Sequence, residues 1–192
     1  MGRPREFERD TVLRQACDVF WARGYAATSV DDLTRAMGIG RGSLYHEFGD
    51  KHALFVEALD GYCAERLSQL TQVLETAPSV RAGISGLLRG IVAMLWSAPL
   101  GRGCLLVNST TELAAADPDV AARSAAAFER VAQVLATALE RGKHSGELAA
   151  SLDVRATARY LASALNGLRL LAKMTDREVA DDVVEVTLKV LD

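Results

Sequence analysis

Between Thr28 and Lys51 the chain reads TSVDDLTRAMGIGRGSLYHEFGDK, and this stretch constrains the fold more than any other. Two short helical patterns are joined here by a tight turn containing glycine. Thr28 is expected to cap the first of them. Its side-chain oxygen can accept an early backbone N–H, and Asp31 and Asp32 suit the positive end of the helix. Val30, Leu33, Ala36 and Met37 fall on one face at helical spacing. Gly38 supplies the left-handed residue that stops the helix, and Ile39 fills the corner. Gly40-Arg41-Gly42-Ser43 opens the second helix, with Leu44, Tyr45 and Phe48 expected to face inward. Helix, glycine turn and short polar-tipped helix make a helix-turn-helix, a unit that lays its second helix in a DNA major groove. An ordinary αα-corner has the same spacing, so spacing alone leaves both readings open.

The whole series through Leu44-Tyr45, Phe48 and Lys51 separates them. It resembles the DNA-binding domain of the TetR family of bacterial transcriptional regulators, over a stretch from about Arg9 to Leu59. The rest of the chain is compatible with that resemblance. In 192 residues, 49% hydrophobic and 24% charged, no segment alternates at period two and proline is scarce, so the expected class is all-α. About nine helices are expected, divided into a helix-turn-helix domain with a basic arm over 1–50 and a helical domain over 51–192. No apolar run reaches the ~20 residues needed to span a bilayer, and no secretory signal opens the chain, which points to the cytoplasm. Cys17, Cys63 and Cys104 are odd in number and widely separated, unlike a disulfide framework or a metal motif.

The formal net charge of −3 argues against non-specific polyanion binding by the whole molecule, so any positive charge that meets DNA must be local. The arm Met1–Arg5 (MGRPR) reads either as a disordered terminus or as an extension whose Arg3 and Arg5 approach phosphates or the minor groove. A first helix from about Phe7 to Arg23 carries the stripe Ala16, Cys17, Phe20 and Trp21, and Gly24 ends it. Asp50 is expected to cap a long helix to about Glu75 that enters the second domain without a flexible linker. Pro78-Ser79 starts the next, to about Ser97, and PLGRG (99–103) breaks the pattern. CLLVNSTTEL (104–113) follows as a short helix, and Asp117-Pro118 starts another that runs to about Arg141. Two final helices are expected over about 154–173 and from 178 onward, the last opened by a Thr175–Glu178 capping box with Val179, Val183, Val186 and Val190 inward. These two hold more apolar surface than one core needs, which suggests a partner surface.

What the resemblance implies is specific. Arg41, Ser43 and His46 would face base edges, an arginine–guanine pair contributing ~1–3 kcal/mol of discrimination. Gly42 would allow close approach, and Tyr45 would reach a phosphate, unless it packs in the core. Thr28 and Lys51 would meet further phosphates. Partners would be double-stranded operator DNA, a small-molecule effector and a second copy of the chain, joined through the last two helices. The effector would lie among Tyr62, Cys63, Leu95, Trp96, Cys104, Asn108, Thr111 and Phe128, although any one of these also reads as core. The segment Gly103–Asn108 (GCLLVN) resembles a motif of a TetR-like subgroup, some of whose members sense electrophiles or oxidants through a cysteine. Arg102 beside Cys104 would favour its thiolate. The other readings are that sensor, or a helical small-molecule-binding protein whose head no longer binds DNA. No cofactor, metal site or catalytic constellation is expected: His46, His52 and His144 lie apart, and GIGRG lacks the Lys-Ser/Thr of a phosphate loop.

Overall fold

The computed structural model describes residues 8–96 and 102–192. The expected arm with Arg3 and Arg5, and all but the last two residues of PLGRG, lie outside the described residues. Those described are all-α: α1 (Arg9–Arg23), α2 (Val30–Met37), α3 (Arg41–Phe48), α4 (Lys51–Thr76), α5 (Val80–Trp96), α6 (Leu105–Leu113), α7 (Pro118–His144), α8 (Val154–Leu171) and α9 (Arg177–Leu188), closed by a 3₁₀ turn over Lys189–Leu191. None of these helices is long and apolar enough to cross a membrane.

Most helix starts are set by an acidic cap. The Asp50, Asp117 and Asp153 carboxylates accept from the first-turn N–H groups of α4, α7 and α8, and Pro118 occupies the first turn of α7. Glu147 reaches across the fold to accept from the Val80 and Arg81 N–H groups, which caps α5 from a distance.

Two caps differ from expectation. Ser29, not Thr28, caps α2, in a reciprocal box with Asp32. Thr28 is 1% exposed and its hydroxyl donates to the Gly24 carbonyl at 2.6 Å, so the solvent-facing neighbour takes the cap. Asp176 caps α9 in place of the Thr175–Glu178 box, because the Thr175 hydroxyl donates to the Leu171 carbonyl at the end of α8. α7 also runs on through Gly142 to His144 instead of stopping near Arg141. The Leu148 side chain lies against Gly142, where a Cβ would meet it at 2.8 Å, so the glycine serves close packing inside the helix.

Two apolar clusters meet along α4. One joins α1, α2, α3 and the first half of α4 through Phe20, Leu33, Leu44, Phe48, Phe55 and Leu59, and also takes in Cys104, Leu105 and Val120. The other joins Leu70 and Leu74, late in α4, to α5, α7, α8 and α9. At ~1.5 Å per residue α4 is a rod of about 39 Å that belongs to both. On α2, Leu33 and Met37 are buried while Ala36 is exposed. On α9 the buried residues are Ala180, Val184 and Thr187; of the valine stripe expected inside, Val183 and Val190 are half-buried against the core while Val179 and Val186 are exposed, Val186 at 59%. A one-position phase error on a helix rich in valine on both sides accounts for the difference.

Replacing Ser29 with Ala should lower stability by about 1 kcal/mol, read as a lower urea midpoint at unchanged slope. The caps also set the acid limb. The Asp32 carboxyl is held below the ordinary carboxylate range by the Ser29 hydroxyl first, then the Ser29 N–H and Arg23. Asp117 is held there by the Val120 N–H first, then His52. Groups depressed in the folded state contribute stability above their unfolded pKa of about 3.9 and lose it as pH falls through the folded value. The melting temperature should therefore decline from about pH 5 downward, and Asp117→Asn, which keeps a cap but cannot ionise, should flatten that decline.

Candidate functional site

α2, the Gly38 turn and α3 form the expected helix-turn-helix. Gly38 is left-handed at φ 64°, and Ile39 is half-buried beside it. α3 is held by its two buried residues, Leu44 and Phe48, and everything between them points out. Arg41, Gly42, Ser43, Tyr45 and His46 are all exposed on this one short helix. Tyr45 is 48% exposed, which corrects its assignment to the inward set. Residue 45 is one position past Leu44, so the helix turns it toward solvent. Arg41 is ion-paired to Asp31 of α2, with Nε 2.9 Å and Nη2 2.8 Å from Oδ1.

Thr28 and Lys51 lie elsewhere. The Lys51 ammonium donates to the Tyr25 and Thr28 carbonyls at 2.8 and 2.7 Å and sits 4.2 Å from the Tyr25 ring centre. It clasps the α1–α2 connection from the start of α4. The same connection is held from the other side by Glu112, at the end of α6, whose carboxylate accepts from the Tyr25 and Ala26 N–H groups at 3.0 and 2.8 Å. Gly24 (φ 79°) makes room, since a Cβ there would stand 2.8 Å from a Glu112 oxygen. Neighbouring ties cross the same joint: His52 to Asp117 at 2.7 Å, Trp21 Nε1 to the Arg102 carbonyl, and Arg102 to Asp18. His52, Asp117 and Asp119 come together within 4.8 Å, but both Asp117 oxygens are already engaged, Oδ1 by the Asp119 and Val120 N–H groups and Oδ2 by the His52 ring, so the cluster is a helix cap hydrogen-bonded to a histidine.

A narrow cavity of about 50 Å³ opens between α4, α6, α7 and α8. Of the expected lining residues it brings together Tyr62, Cys63, Cys104 and Phe128. Asn108 and Thr111 instead face a separate open groove beside Trp21 and Lys173, and Trp96 donates from Nε1 to the Thr175 carbonyl. Leu95 is buried. Residues that went unnoticed complete the wall: Arg66, Leu67 and Leu70 on α4, Arg130 on α7, Asn166 and Arg169 on α8. Their signal was available, because Arg66 and Leu67 stand one helical turn beyond Tyr62 and Cys63.

The Tyr62 hydroxyl donates to Cys104 Sγ at 3.5 Å inside this wall. Burial, then the neighbouring Cys104, pushes the Tyr62 hydroxyl up, and burial pushes the Cys63 thiol up to about 12. Cys17 is likewise pushed up, to about 11. Cys63 and Cys17 thus stay protonated and unreactive. Cys104 is 6% exposed, and Arg102, expected to favour its thiolate, is turned away to Asp18 and the face of Trp21. Tyr160, Leu170, Met174, Val179 and Val186 are each exposed on α8, α9 and the turn between them, Met174 at 66%.

Comparison with known proteins agrees with this geometry. Residues 12–58 match the family described as bacterial regulatory proteins, tetR family, and residues 80–187 match the tetracyclin repressor-like C-terminal domain. Among curated relatives, the uncharacterized HTH-type transcriptional regulator YezE of Bacillus subtilis (strain 168) is 36% identical over 198 residues, covering 100% of both chains. The HTH-type transcriptional repressor ComR of Escherichia coli (strain K12) is 30% identical and covers 90% of this chain and 82% of its own. Among solved structures, a cysteine mutant of the TetR family transcriptional regulator CifR, complexed with a 26-base-pair double-strand operator DNA, is 39% identical. It superposes with a TM-score of 0.86 over 97% of this chain and 98% of that one. With both of its parts matched and a full-length relative at this identity, the chain belongs to the TetR family of bacterial regulatory proteins, a family of DNA-binding transcriptional regulators.

Proposed function

We propose that this regulator is a repressor that binds a two-fold symmetric operator as a homodimer and is released by a small molecule. The observation that carries the reading is α3, which buries two side chains and turns Arg41, Gly42, Ser43, Tyr45 and His46 outward together. A front of one arginine, one histidine and two hydroxyls suits base edges and phosphates, and Gly42 lets the backbone approach them. Arg3 and Arg5 would extend the contact from the arm. Thr28 and Lys51 support the head by shaping the α1–α2 connection. The division at residue 50 is functional: the head reads DNA, and 51–192 senses and dimerises. The outward valines of α9 with Tyr160, Leu170 and Met174 offer the surface for a four-helix contact with a second copy. The setting is the cytoplasm, where the operator is, and the chemistry is binding rather than catalysis.

Release is a population shift. The cavity is too small for an ordinary ligand, whose pocket is of order 300–1,000 Å³, so occupancy must part its walls. Two of those walls are α4, which runs into the head, and α6, whose end grips the α1–α2 connection through Glu112. Displacing either changes the separation of two heads that must meet successive major-groove faces about one turn apart.

In a footprint on the DNA upstream of the gene, a symmetric protected site bound at ~10⁻⁸ M or tighter and weakening steeply with salt is expected. Alanine at Arg41, Tyr45 or His46 should each reduce that affinity about tenfold or more at unchanged melting temperature. Unchanged affinity in all three would remove α3 as the reading helix.

A second reading has its own observation. Cys104 sits on the cavity wall, within hydrogen-bond reach of Tyr62, and the cysteine-substituted CifR proteins are similar along their whole length. In this reading an electrophile with an activated C=C bond adds to Cys104: the S–C bond forms as the π bond opens, the thiol proton is delivered through solvent to the neighbouring carbon, and the adduct parts the walls. Cys104→Ser should then abolish release by thiol reagents while leaving operator affinity intact; release that persists in this variant sinks the sensor.

A further inference from the structure

The cavity wall is apolar over most of its area, yet three guanidinium groups line it: Arg66, Arg130 and Arg169. Among the described residues no carboxylate lines it with them, although Arg66 also borders a second groove lined by Asp10, Asp18, Glu57 and Glu65. Most arginines among the described residues are ion-paired to an aspartate or glutamate, and these three are not. Their internal contacts leave donors unused. Arg66 donates from Nη1 to the Gln69 side chain, and its buried Nε has no partner. Its guanidinium lies over the Tyr62 and Trp21 rings, 5.2 and 5.8 Å from their centres, so it is held by stacking. Arg169 donates from Nη1 to the Asn166 amide oxygen. The three residues come to the one cavity from α4, α7 and α8.

Arg66 and Arg169 are half-buried beside this partly enclosed space and Arg130 is exposed next to them, so an anion there would give their unused donors charge-assisted partners. The guanidinium fork matches a planar two-oxygen acceptor in bidentate fashion. Leu67, Leu70, Phe128 and Val131 line the remainder and suit a short hydrocarbon or aromatic body. A bare inorganic anion would leave that apolar wall without a partner. We infer that the effector is a small amphipathic carboxylate, its carboxylate held among Arg66, Arg130 and Arg169 and its apolar body against Phe128 and the α4 leucines. This rests on the cavity being the effector site.

The test uses the full-length protein and matched probes of equal shape and different charge: hexanoate against hexanamide, benzoate against benzamide, with inorganic phosphate as a third arm. Calorimetric titration and thermal shift read binding without DNA. Carboxylates should bind and raise the melting temperature, their amides should bind at least about tenfold more weakly, and phosphate should give no saturable shift. Arg66→Met and Arg169→Met should each weaken carboxylate binding about tenfold or more, leaving the wild-type comparison of acid and amide as the deciding measurement if a variant folds poorly. Amides binding as well as acids, no binding by either carboxylate, saturable binding of phosphate alone, or undiminished carboxylate binding in both well-folded variants would each overturn the inference. Operator binding is measured alongside. Release of DNA by the neutral amides would leave the repressor reading standing and remove the carboxylate. Failure of the apoprotein to hold any operator would remove the repressor reading, while the titration still decides the charge of the ligand.

Discussion

The grip on the short connection between α1 and α2 is the interaction on which the DNA-facing geometry depends. Residues 24–28 leave backbone donors and acceptors that no helix satisfies, and such groups need partners when covered. Lys51 takes two of the carbonyls and covers the Tyr25 ring, while Glu112 takes two of the N–H groups. Both are charge-assisted contacts, stronger and more directional than neutral ones. Lys51 begins α4 and Glu112 nearly ends α6, so one short connection records the positions of two helices that reach the cavity.

That arrangement gives α4 an unusual standing. It is neither a linker nor a member of one core. Its first half is packed with α1–α3 around Phe20 and Phe55, and its second half with α5 and α7 around Leu70 and Leu74. Tyr62, near the middle, is an edge-on neighbour of Trp21 in α1, contacts Cys104 ahead of α6, and lines the cavity. A close-packed interior does not absorb a displaced side chain locally, because its neighbours have no free volume to take it. Widening the cavity therefore shifts whole helices.

The local parts were readable in the residues. Helix starts at Asp50 and Asp117, the Gly38 stop and the α4 continuity follow from capping, left-handed glycine and uninterrupted spacing, all of which act within a few residues. What went astray depended on distant partners. Thr28 has the chemistry of a cap, but its hydroxyl faces Gly24 in a buried corner. The two carbonyls to which the Lys51 ammonium donates lie twenty-odd residues earlier, a contact no local pattern reveals. Asn108 and Thr111 border a different groove from Tyr62 and Cys63, and Arg102 turns to Asp18, a partner 84 residues away in the chain. The arginines of the cavity come from three helices and converge only once α4, α7 and α8 are packed.

The ion pair between Arg41 and Asp31 bears on how the head meets DNA. The one cation at the front of the reading helix already has an anionic partner, and the ammonium at the start of α4 is turned inward. Little free positive charge then remains among the described residues of the reading unit to hold an arbitrary duplex. The sequence-independent grip that lets many regulators slide along DNA scales with the number of phosphates neutralised. With both partners exposed that pair is weak, so Arg41 can trade Asp31 for a base edge or a phosphate at little cost.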